Sequence, residues 1–136
     1  MQAAAASFWL QDTAYPVLSL TQHMHQPTND RGIAHGLPIS GELRLLLEVL
    51  PQDVRLPAWA YDQFKALPAR VVFQPLDGMS NSLTLTLEEA YCVSYEEHFE
   101  PSQAGKAALY CLINVVARRI IKHGVTYENP WPQAGQ

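Results

Sequence analysis

The chain has 136 residues, 48% of them hydrophobic and 10% aromatic, which is one domain's worth of material with enough apolar side chains to close a core without disulfides. A formal net charge of -4 leaves no surplus of Lys and Arg to neutralise phosphates, so nucleic acid is not the main partner, and no apolar run approaches the ~20 residues of a membrane helix. Charged residues are only 16%, against ~25% in an average soluble domain, so much of the surface is expected to be covered by other copies.

The first strand signal runs from Ser7 to Leu10 and the second from Tyr15 to Gln26, where Leu18, Leu20, Gln22 and Met24 share one face on strict alternation. Before them, Met1 to Ser7 has no basic stretch and no long apolar run, so no secretory signal is expected. Pro27 to Ser40 is dense in turn formers and predicts a long loop. Gly41 to Leu50 alternates Leu43, Leu45, Leu47 and Val49 against polar neighbours and predicts a strand. Leu56 to Leu67 predicts the helix, with Pro57 in its first turn, Trp59, Phe64 and Leu67 along one stripe, and Pro68 as its stop. Two strands follow at 69–74 and 82–87, and further ones at Ala90–Phe99 and 107–121, the last bent near Arg118-Arg119. An extended tail from Gly124 to Pro132 ends the pattern, so seven or eight short strands with one helix predict a small antiparallel barrel or sandwich.

Candidate chemistry is sparse. His23 and His25 would share a strand face, but zinc needs further ligands and no spacing supplies them. Glu88, Glu89, Glu96, Glu97 and Glu100 form an acidic block, followed by an acid-free block carrying Lys106, Arg118, Arg119 and Lys122. The two blocks pair either within the chain, as cross-strand ion pairs, or between copies, where they would set register. Glycine-rich phosphate loops, Gly-x-Ser-x-Gly and Cys-x-x-Cys are missing. Cys92 and Cys111 lie in apolar strand context, where a thiol is inert and stays reduced. No enzyme activity and no cofactor or metal is expected.

One stretch is more specific. Glu88, Glu89, Ala90, Tyr91, Cys92, Val93, Tyr95, Glu97 and Phe99 form a strand that resembles the signature of the Hcp-like type VI secretion tube proteins, the TssD family of Bacteroidota type. The tail, with Glu128, Asn129, Trp131 and Pro132, and the loop residues Asp30-Arg31-Gly32 with Pro38 beyond, resemble the same family. The resemblance implies a mainly β fold, an antiparallel β-barrel with one short α-helix packed at its side, over 1–136 as a single domain. It implies hexameric rings that stack into the inner tube of a contractile type VI system, and that can carry effectors in the lumen. Implied partners are the chain itself, the sheath, spike and baseplate proteins, and secreted effectors, without nucleic acid or membrane insertion. The tube would be assembled in the bacterial cytoplasm and then secreted to the exterior or into a target cell. Strand edges of an incompletely closed barrel would join the ring, and the loop residues Asn29, Asp30, Arg31 and His35 would touch the next ring. Two rival readings remain: the tube protein of a phage tail or extracellular contractile particle, and a monomeric ligand-binding barrel lined by Tyr15, His23 and His25.

Overall fold

The structure is a computed structural model that describes residues 5–25, 39–62, 64–74, 83–101 and 107–129. Its elements in chain order are β1 (Ala5–Leu10), β2 (Thr13–His25), β3 (Ile39–Val49), α1 (Arg55–Ala60), β4 (Leu67–Gln74), β5 (Leu83–Pro101), β6 (Ala107–Lys122) and β7 (Val125–Glu128). The strands lie in the order β3-β2-β1-β4-β5-β6-β7, all pairs antiparallel. A β3–β6 ladder from Leu43↔Val115 to Val49↔Leu109 closes six of them into a barrel. The fold is therefore the mainly β barrel with one short helix that the resemblance implies, and the barrel rather than the sandwich of the two folds that the strand pattern leaves open.

Alternation builds the interior. Leu43, Leu45 and Leu47 of β3, Leu85 and Leu87 of β5, and Ile113 and Val115 of β6 point inward and are buried. With Phe8, Leu10 and Val71 they form one apolar cluster. Among the described residues the interior is packed with these apolar side chains, where the ligand-binding reading expected a lining of Tyr15, His23 and His25. Tyr15 is buried, but its hydroxyl donates to Asp53 Oδ2 at 3.0 Å, and His23 pairs with Glu42 on the outer side of the sheet. The side chain of His25 lies outside the described residues.

Several boundaries differ from the sequence reading. The helix ends at Ala60, so Leu67 and Pro68 belong to β4 and Phe64 is exposed. Asp53 explains where the helix begins: its Oδ2 accepts the Leu56 N–H at 3.1 Å, taking one of the otherwise orphaned first-turn donors. The two strands expected at 82–87 and 90–99 are one 19-residue strand, β5. The tail contains a short strand, β7, joined to β6 by a two-residue turn. Both turn residues, His123 (φ 53°) and Gly124 (φ 76°), are left-handed, as the twist-matched hairpin turn requires. Beyond Val115, β7 takes over from β3 beside β6, and Gly41 sits at that changeover: a Cβ there would overlap Ile120 Cδ1.

Candidate assembly surface

The signature strand β5 changes neighbours along its length. Up to Ala90 it lies between β4 and β6. At the corner, Glu89 adopts φ 53°, and two residues of β5 oppose one of β4 there, which makes a bulge. Arg118 Nε holds the Glu89 carboxylate at 2.7 Å, and Arg119 Nη1 holds that of Glu88 at 3.1 Å. Ala90 is buried, and its carbonyl accepts the indole N–H of the buried Trp59 at 3.0 Å, which ties α1 to the corner. A second bulge at Val93, between Cys92↔Val115 and Ser94↔Asn114, reverses the alternation. Tyr95, Glu97 and Phe99 therefore continue the face of Ala90 and Cys92, while Val93 turns outward.

Tyr95 carries a local polar cluster. Its hydroxyl donates to Glu97 Oε1 at 2.6 Å, lies 3.4 Å from Cys111 Sγ, and its ring meets Tyr61 edge-on. Burial first, then Cys111 and Glu97, push the Tyr95 phenol up. Cys92 and Cys111 are free and buried, and burial raises both thiols, Cys92 to about 11. A thiol so placed is a poor nucleophile near neutrality.

The tail motif is a clasp. Asn129 is buried, its Nδ2 donates to the Ala117 carbonyl at 2.6 Å and its backbone N–H to that of Arg118 at 2.8 Å. The Tyr127 hydroxyl donates to Asn129 Oδ1, and Glu128 lies 3.6 Å from Arg119. Trp131 and Pro132, and the loop residues Asn29, Asp30, Arg31 and His35, lie outside the described residues.

Beyond these corners the barrel extends a four-stranded sheet: β2 after Val17, β3, β6 up to Val115, and β5 after Ala90. Among the described residues, β2 after Val17 pairs only with β3, and β5 after Ala90 only with β6. The barrel is closed, which corrects the expected incomplete closure; among the described residues each side of this sheet nonetheless ends in an open edge beyond the barrel. Both edges carry exposed apolar side chains, Leu18 and Met24 on β2, Val93 and Phe99 on β5. Leu18 escapes the expected alternation because β2 bulges between Val17 and Ser19. Beside the β5 edge lies a cleft of about 710 Å³ lined by Ala60, Phe64, Tyr91, Val93 and Tyr95, among others. Long open edges of this kind are templates for pairing with another chain.

A filled barrel with two open strand edges is the build of a self-associating subunit. The chain belongs to the family described as hemolysin coregulated protein Hcp (TssD), whose model matches residues 2–132. It is a subunit of the inner tube of a type VI secretion system. Hcp1 from Flavobacterium johnsoniae, of the Bacteroidota, shares the fold with a TM-score of 0.75 and 24% identity over 92% of this chain and 99% of that one. Hcp1 from Salmonella typhimurium follows at 0.65 and 14%, covering 93% and 92%. The cap of the anti-feeding prophage, a tube-terminating protein, shares the fold more distantly, at 0.53 and 12% over 91% and 88%. No curated protein matches the sequence. Tube proteins of this family are structural and form stacked rings secreted by the type VI system.

Proposed function

We propose that this chain closes six-membered rings by edge-to-edge strand addition, β2 of one subunit beside β5 of the next, and that the four-stranded sheet forms the wall of the lumen. The observation that carries this reading is the pair of open, apolar-flanked edges on opposite sides of one sheet. Two different edges meeting head to tail make a heterologous contact, which yields a ring when the rotation closes.

Strand spacing supports placing this wall on the inside. Four strands ~4.8 Å apart give roughly 19 Å of wall per subunit, hence a circumference of roughly 115 Å and a diameter of roughly 37 Å for six copies. The second layer, which contains β1, β4 and the halves of β5 and β6 before and after the corner, lies ~10 Å away. Placed inside the wall it would have roughly 9 Å of circumference per subunit, less than two strand widths, so in this reading it sits outside.

In this reading the segment that precedes β3, with Asn29, Asp30, Arg31 and His35, touches the next ring. The tube is assembled in the bacterial cytoplasm, works with sheath, spike and baseplate proteins, and carries small effectors in its lumen. The fold is shared with particle proteins of the phage-like kind, but the family match favours the type VI system. The test is the mass in solution together with negative-stain images. Particles near six times the 15.2 kDa chain with a central hole are expected, and a monomer at micromolar concentration overturns the reading. Replacing 28–37 by an Asn-Gly turn is expected to leave single rings and abolish stacking. Long tubes, or no rings, from that variant would remove the loop from the stacking contact.

A further inference from the structure

The outer face of the four-stranded sheet has its own chemistry. Register places Ser19, Thr21 and His23 of β2 beside Leu46, Arg44 and Glu42 of β3. On β6, Tyr110, Leu112 and Asn114 share that face with Glu48, Leu46 and Arg44. On β5, Ser94, Glu96, His98 and Glu100 complete it. The face therefore bears four glutamates, Glu42, Glu48, Glu96 and Glu100, against the single guanidinium of Arg44 among the described residues. A groove of about 390 Å³ crosses it, floored by Leu18, Leu46, Tyr110 and Leu112 and rimmed by Glu96 and Glu100.

The contrast within β5 is informative. Before the corner, Glu88 and Glu89 each have an arginine partner on β6. Beyond it, Glu96 lies across from Leu112, and Glu100 has the imidazole of His98 beside it at 3.7 Å. Glu42 accepts the neutral amide of Asn114, at 2.8 Å. The acids of this face are thus left without an arginine or lysine within ion-pair distance among the described residues, around the exposed Leu18 and the half-buried Leu46, Tyr110 and Leu112.

We propose that this face is the cargo-holding surface and that it selects small basic polypeptides bearing exposed aliphatic or aromatic side chains. This rests on the ring reading, in which the face lines the lumen and each negative patch recurs in every subunit around the bore. Converging fields of one sign in a confined channel concentrate ligands of the other sign. The apolar floor supplies the contact that holds them once there, and the glutamate rim sets which charge is admitted.

The probe is a fluorescent peptide of about 20 residues containing Gly, Ser, Lys and Leu, with a twin carrying Glu for every Lys, titrated at about 50 mM and about 300 mM salt. Purified protein is expected to bind the basic peptide at least about ten-fold more tightly than its twin, with the preference shrinking at the higher salt. The double variant Glu96→Gln/Glu100→Gln is expected to lose about ten-fold, while Asp62→Asn, an exposed acid beyond α1 and off this face, leaves binding unchanged. Equal binding of the two peptides, or an undiminished affinity in the double variant, overturns the proposal. All three carboxylates are exposed, so folding is not at stake. A protein that stays monomeric yet keeps the preference and its dependence on Glu96 and Glu100 would sustain the charge selection and sink the ring.

Discussion

Glu89 adopts φ 53° in the middle of the longest strand, a conformation that disfavours any L side chain by ~1 kcal/mol or more. Its ion pair with Arg118 offsets part of that, though the glutamate is half exposed and such pairs contribute a few tenths of a kcal/mol. Glycine at 89 is therefore expected to be more stable than alanine by about 1 kcal/mol, the reverse of an ordinary strand interior. Urea denaturation of Glu89→Gly and Glu89→Ala measures the order, and alanine above glycine would show that the corner does not hold this conformation. The buried thiols make a second prediction. Cys92 is raised from about 9 to about 11 by burial, and Cys111 is raised as well. The folded state then holds these protons more tightly than the unfolded one, so stability is present below about pH 9 and falls as pH rises through about 11. The urea midpoint should drop over that window, and Cys92→Ala should flatten the drop in part, since Tyr15, Tyr95 and Tyr127 shift the same way. An equal drop in the variant would remove Cys92 from the cause.

At the scale of elements, the open edges of β2 and β5 are expected to do the joining. Val93 is over half exposed and flanks the β5 edge, so Val93→Lys places a strongly hydrated charge where a neighbouring strand would lie. The variant should remain folded by circular dichroism and sediment as a monomer, as should Leu18→Lys on the opposite edge. Rings of unchanged mass would clear those edges of the role. Most strands are legible in the sequence because period-two patterns such as Leu83, Leu85 and Leu87 reflect a one-sided core. The bulges at Leu18, Glu89 and Val93 are not, since they arise near where a strand loses one of its two neighbours. At Glu89, moreover, the left-handed residue is not the glycine that would mark it. Helix length is misread for a related reason: Phe64 and Leu67 fit a helical stripe, yet Leu67 pairs with Ala90 and the chain turns early to make β4. The signature residues are visible in the sequence only as a resemblance. Their reasons, the Arg118 and Arg119 partners and the Trp59 bond to Ala90, require the fold.

For the whole molecule, low charge content, a filled barrel and two apolar-flanked edges agree on a subunit that completes its surface with copies of itself. The acidic and basic blocks divide the work. Glu88 and Glu89 pair with Arg119 and Arg118 inside the chain, while Glu96 and Glu100 remain on the face assigned to the lumen. The most direct measurement is a three-dimensional reconstruction of the purified ring at a resolution that separates strands. The account predicts six subunits around a continuous sheet, with Leu18 and Met24 of β2 beside Val93 and Phe99 of the neighbour's β5 and Glu96 facing the bore. Rings joined through other surfaces, or with that sheet on the outside, would contradict it.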